Sequence, residues 1–283
     1  MESLITQLLI AALLLSIIVA ILGTLIVVTN TTTLTGAVSH ANFGAVGLSF
    51  YLGLSKGVIP FVIGGFSGVV GAILALILLY FPHRRESLIT GIWAVGMATG
   101  ILFISLGRVQ NGEVLSYLFG NLLFITTSQL KLLGVVAGIL LLLLPLSKIV
   151  LHLHYDPSFL QLRKVKVGLL YTFYLSAVSV IIGLLVQIVG IILLLALFAL
   201  PPLIGEQFVT RFYPLVGVTF GITFTATGLA IWLSYLYPLP LLPVVTILLA
   251  VMLMFTIGIK WVVQEVKRVV LVKSELKKGQ IDG

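Results

Sequence analysis

The chain has 283 residues, 60% of them hydrophobic, a mean hydropathy of +1.27 and only 8% charged. A water-soluble domain carries about 25% charged residues, so a soluble globular fold is excluded. The formal net charge of +8 raises nucleic acid as a partner, which the placement of the charges removes, and a cysteine count of 0 excludes disulfides, thiolate metal sites and thiol redox chemistry.

A helix that crosses a bilayer needs about 20 mostly apolar residues. By that rule the predicted spans are 4–28, 34–54, 57–81, 87–107, 129–150, 168–188, 189–206, 213–235 and 240–260. The fold class is an all-α, polytopic integral membrane bundle of 8–9 transmembrane helices. The first run lacks a basic start and reads as a span, not as a cleavable signal. The second is unusual: residues 33–47 are rich in Gly, Ala, Ser and Thr, which suits the inside of a bundle. At helical spacing Gly36, His40, Gly44 and Gly47 share one face. In the third, Gly64 and Gly68 form a GxxxG pair extended by Gly71, which lets another helix approach closely. No Asp, Glu, Lys or Arg lies between Ser87 and Gly107, as suits lipid, where a central charge costs about 2.5–3.5 kcal/mol on insertion scales. The apolar stretch 115–126 is too short to span and reads as a re-entrant or partial helix. The seam between the sixth and seventh spans lies inside one apolar run, at 187–190.

Orientation follows from Lys and Arg. Arg84 and Arg85, then Lys148, Arg163, Lys164 and Lys166, then Arg211, and finally Lys260, Lys267, Arg268, Lys273, Lys277 and Lys278 fall on one side of a nine-span arrangement. That side holds 13 basic residues against Lys56, Arg108 and Lys131 on the other. The rich side is therefore cytoplasmic, with the C-terminus inside and the N-terminus outside. The basic balance is topology, and no nucleic-acid partner is implied. Residues 1–262 form the transmembrane domain, with a cytoplasmic loop at about 151–167, and residues 263–283 a basic cytoplasmic tail. The segment from Trp261 to Val270 alternates basic and apolar residues and reads as an amphipathic continuation of the last helix on the inner leaflet. No GxxxxGK[ST] phosphate loop is present, so this chain does not hydrolyse nucleotide by that route, and its energy comes from an ion gradient or from another polypeptide.

Four stretches, in order, carry a family resemblance. They are Thr35-Gly36-Ala37-Val38-Ser39-His40-Ala41, Glu86-Ser87-Leu88-Ile89-Thr90-Gly91-Ile92, Tyr117-Leu118-Phe119-Gly120-Asn121, and Val189-Gly190-Ile191-Ile192 running on to Ala199-Leu200-Pro201. Over about residues 8–260 the chain resembles the membrane-spanning permease subunit of ATP-binding-cassette importers for zinc, manganese and iron. It departs from the family pattern in having Gly36 four residues before the histidine and Asn121 after Phe-Gly, where the family has Asp, and Pro202 where it has Ala.

The resemblance implies a homodimer with the translocation pathway on its axis, a separate cytoplasmic ATPase, and an extracytoplasmic metal-binding receptor. The chain is then no enzyme and binds no cofactor. ATP belongs to the partner subunit, and the divalent metal, zinc or manganese ahead of iron, is the cargo. His40 is the candidate metal contact in the pathway, with Gly36, Ser39, Gly44 and Gly47 lining it. Thr35, Ser39 and Asn42 offer oxygen atoms nearby, although Asn42 points to another helix face and suits interhelical hydrogen bonding better. In the loop, Tyr155, Asp156, Pro157, Ser158, Phe159 and Leu160 are the candidate ATPase-docking residues. Asp156 or Ser158 caps a short helix there with Pro157 at its first position. His152 and His154, two residues apart, do not share a helix face and read as loop residues. Glu206 and Arg211 read as interfacial polarity, and Arg108, Asn111 and Glu113 lie on the outer side, where the receptor docks. The alternative is a self-contained secondary transporter driven by an ion gradient. Such a protein needs carboxylates embedded in its spans, and the predicted spans hold none at depth.

Overall fold

The structure, a computed structural model, describes residues 2–55, 57–107, 120 and 125–279. Every regular element among them is helical. α1 (Glu2–Ile18) passes through one π turn, Val19–Gly23, into α2 (Thr24–Val28), giving a single crossing. α3 (Thr32–Tyr51), α4 (Ile59–Tyr80) and α5 (Arg85–Gly107) follow. α6 (Thr127–Leu143) opens on a capping box in which Thr126 and Gln129 satisfy each other's backbone amides. It leads through a tighter turn at Leu144–Leu146 into α7 (Ser147–Tyr155) and the short α8 (Pro157–Leu162). The chain closes with α9 (Val167–Val189), α10 (Ile191–Glu206), α11 (Phe212–Leu236) and α12 (Leu241–Gly279).

Among the described residues, 7 stretches are long and apolar enough to cross a membrane, and α10 is apolar but shorter. The remaining predicted span is α3, whose Ser, Thr and Gly content lowers its hydropathy. It is sheathed by other helices instead, with Thr35, Ser39 and Asn42 fully enclosed. The protein is thus an all-α, multi-pass membrane bundle. Large apolar side chains on the outer helices, such as Val95, Phe173, Ile247 and Met254, are exposed, as a lipid-facing surface requires.

Glycine decides which helices touch. A β-carbon on Gly71 of α4 would lie 2.7 Å from the Leu175 carbonyl of α9 and 2.8 Å from the Ser176 Cα, so α9 seats on the glycine face of α4 at backbone distance. The soft seam resolves at Gly190, which takes φ of 82° and stops α9 in a conformation that favours glycine. Gly120, with φ of 77°, packs against the Val189 carbonyl at that break. Two of the quoted motifs therefore meet in space. The rest of 115–126 up to Phe124, with Lys56, Arg108, Asn111, Glu113 and residues 280–283, lies outside the described residues.

The ends of the crossings sort into faces. One cavity of about 760 Å³ is lined by residues 29–34, Arg85, Glu86, Leu153, His154, Tyr155, Pro157 and Val167, among others. A second, of about 660 Å³, is lined by Val28, Asn30, Thr32, Tyr155, Glu206, Thr210 and Phe212, among others. Lys260 Nζ donates to Gln207 Oε1 at 3.0 Å. Representatives of all four basic segments therefore meet on one end of the bundle. α12 runs unbroken through positions 262 and 263, so the tail continues the last crossing as helix up to Gly279.

Candidate functional site

Two places collect the residues that the sequence singles out. The first is the middle of α3. Its small residues form a smooth stripe, and α5 lies along it. A β-carbon at Gly44 would sit 2.7 Å from Thr99 Oγ1, and one at Gly47 would sit 2.5 Å from the Gly100 carbonyl. From the other side, a β-carbon at Gly96 would lie 2.9 Å from the His40 carbonyl. At Gly36 the space of a side chain is taken by the Trp93 indole, whose Cε2 would be 2.8 Å from a β-carbon there. The glycine stripe is thus where α5 docks inside the protomer.

His40 sits on the same stripe, half-exposed. Its ring centroid is 4.9 Å from that of Trp93, with the planes tilted by 41°. His40 Nδ1 and Trp93 Nε1 are both buried, and neither has a hydrogen-bond partner among the described residues. A buried polar atom left unpaired costs about 1–3 kcal/mol, so each requires a reason. No group of three or more His, Asp or Glu residues able to hold a metal is found among the described residues. The chemistry available at His40 is an imidazole beside an indole, with no carboxylate in a ligand cluster.

The next face of α3 is polar and faces inward. Thr35 and Ser39 are fully buried, and their hydroxyls have no partner among the described residues. Asn42 faces α4, where its Oδ1 accepts from Ser67 Oγ at 2.7 Å. It is interhelical glue, as its spacing suggests.

The second place is the segment 151–167, which the structure shows as the end of α7, the short α8 and the turn after it. The Asp156 carboxylate accepts from the Phe159 amide at 3.1 Å and caps α8, with Pro157 at its first position. Within α8, Leu160 is 5% exposed and anchors the helix, whereas Leu162 is 85% exposed. Asp156, Pro157 and Ser158 face outward, and Phe159 is half-covered by His152, at 4.8 Å between ring centroids, and by the Arg163 guanidinium at 4.6 Å. Tyr155 projects between the two cavities and donates to the Val28 carbonyl. His152 and His154, expected in a loop, stand instead in the last turns of α7, and His154 turns away from His152, its ring against Tyr171 and Tyr174. Sequence reasoning missed Trp93 and the link from Tyr155 to Val28. The separations, 53 and 127 positions, leave no local signal for either.

Residues 1–260 match the family model described as ABC 3 transport family. A probable metal transport system membrane protein of Chlamydia pneumoniae is 32% identical over 81% of this chain and 80% of its own length. The chelated iron transport system membrane protein YfeD of Yersinia pestis is 30% identical over 80% and 75%. The manganese import system permease protein ScaB of Streptococcus parasanguinis is 24% identical over 80% of both chains. The solved structure of PsaBC from Streptococcus pneumoniae in complex with Fab shares the fold, with a TM-score of 0.74 at 23% identity, covering 89% of this chain and 90% of that one.

Proposed function

The chain belongs to the ABC 3 transport family, and from that premise we propose that it is the permease subunit of an ATP-driven importer of divalent metal ions. It works as a homodimer with the translocation pathway between the two copies. The face that gathers the basic segments is cytoplasmic and receives the ATPase. The opposite face receives a metal-loaded receptor. This chain supplies the path and no hydrolysis, and the metal is cargo.

One observation of the geometry supports this reading above others: a capped, outward-facing helix stands on the end of the bundle that collects the basic segments. Asp156 fixes the first turn of α8, Leu160 roots it in the body, and Leu162 is left in the open. Such a rigid projection suits a soluble partner that pushes on the membrane domain. A secondary transporter would instead need carboxylates at depth. In the described crossings Glu86 and Glu206 stand at helix ends.

In transit the cation meets His40, whereas Gly36, Gly44 and Gly47, expected to line the path, take α5 inside the protomer, and Ser39 is buried beside them. An imidazole without a carboxylate suits zinc and ferrous iron better than the harder manganese. Zinc is therefore the first cargo to test, with manganese and ferrous iron beside it. A single ligand from each copy holds a cation weakly enough to release it.

The test is uptake into vesicles containing this chain, its ATPase and its receptor, with zinc, manganese and ferrous iron in parallel. ATP-dependent accumulation of one metal is the expected result. His40→Ala should cut that accumulation by about tenfold or more, as the loss of a metal contact does. The variant should still fold and melt cooperatively, because His40 Nδ1 has no hydrogen-bond partner to lose among the described residues. Uptake without ATP, or no binding of the ATPase, would overturn the importer reading.

A further inference from the structure

The end of the first crossing shows how the cytoplasmic loop is tied to the helix that carries His40. A helix leaves its last four carbonyls without partners of its own. Here three of the four are satisfied within the turn that follows. The Leu25 carbonyl accepts from the Thr29 amide at 2.9 Å and from its hydroxyl at 2.7 Å. The Ile26 carbonyl accepts from the Thr31 amide at 2.9 Å and its hydroxyl at 3.2 Å, and that of Val27 from the Asn30 amide at 3.0 Å. Asn30 turns the chain at φ of 54°, and the hydroxyls of Thr29 and Thr31 are 2.9 Å apart. The fourth carbonyl, that of Val28, is taken by the Tyr155 hydroxyl, 127 positions away.

This turn is stiff, and α3 begins at Thr32 directly after it. His40 follows eight residues on, about 12 Å along the helix axis. At the other end, Tyr155 is the last residue of α7 and precedes the Asp156 cap of α8. Tyr155 as a residue is 64% exposed, so packing alone does not hold it. The ring also lines both inner cavities, together with Asn30 and Thr32.

We propose that the hydrogen bond from the Tyr155 hydroxyl to the Val28 carbonyl is the strut that carries displacement of α8 into α3. The inference rests on the importer reading and names the positioning residue through which the ATPase would act on the His40 helix. Push on α8, and the capped turn moves Tyr155. Through the Val28 carbonyl the stiff turn and the start of α3 follow. With the strut broken, α8 still receives the ATPase, but α3 no longer answers to it.

Tyr155→Phe removes the hydroxyl and keeps the ring. In vesicles with the ATPase and the receptor, metal moved per ATP hydrolysed should fall about fivefold, the change expected for one lost hydrogen bond. An unchanged ratio overturns the strut. A second readout needs neither transport nor partner. The chain has no cysteine, so a lone Leu34→Cys at the buried start of α3 can be timed with a thiol reagent in the permease alone. With the strut cut by Tyr155→Phe the reaction should quicken about fivefold, as the turn opens more often. The same rate with and without the hydroxyl again overturns the proposal. If the parent itself moves no metal, the importer reading fails, and the thiol rates still decide whether the strut exists.

Discussion

A β-carbon at position 36 would overlap the Trp93 indole, so the residue that departs from the family pattern is one that its neighbour forbids to be larger. The ring that fills this space is the one that covers His40. Gly36→Ala should therefore cost about 1–3 kcal/mol, the usual range for overpacking. Trp93→Ala in the same chain should return most of that loss. A double-mutant cycle of thermal melts in detergent measures the coupling. If the two changes add without coupling, the indole does not fill that space in the membrane. The same cycle run on metal uptake asks a separate question, because uncovering the imidazole changes access to it and not only stability.

Individual helices depend on small groups at their ends and flanks. Asp156 caps α8 through one bond to the Phe159 amide. Replacement by Ala should remove about 1 kcal/mol from that helix, whereas Asn caps equally well. Asp156→Ala should thus weaken co-purification of the ATPase by about fivefold. Asp156→Asn should retain it, and an equal loss in both would point to the charge instead of the cap. This cap was legible in the sequence, because Asp-Pro before an apolar run is a start signal that needs no tertiary context. The GxxxG face of α4 was legible in the same way, and α9 seats on it. What could not be read was the partner of each smooth face. Gly36, Gly44 and Gly47 announce a close approach, but spacing cannot say whether a path, a second copy or another helix fills it. In the protomer α5 fills it, because Gly96 and Gly100 match the stripe from the other side. Periodicity reports a face, and complementarity between distant faces is fixed only when the chain packs.

At the scale of the whole molecule the charge count and the packing agree on one point that neither makes alone. Counting gave 13 basic residues to one side only if nine crossings alternate, yet one of those helices, α3, is too polar to register as a span and another, α10, is short. The cavities and the bond from Lys260 to Gln207 bring together the ends that an alternating path requires. Length supplies a further constraint. α12 has 39 residues, about 58 Å of helix at about 1.5 Å per residue, against a hydrocarbon core of about 30 Å. It must leave the bilayer by many turns on the side of its basic end. Single cysteines in this cysteine-free chain can therefore map the topology in intact cells. Leu162→Cys, Thr210→Cys and Gln264→Cys should all resist a thiol reagent that cannot cross the membrane and react once the cells are opened. Ser55→Cys, in the turn between α3 and α4, should react from outside. Labelling of Gln264→Cys in intact cells would reverse the assigned orientation. A split among the three inner positions would break the nine-crossing path itself, because an even number of crossings between any two of them is what keeps them on one side.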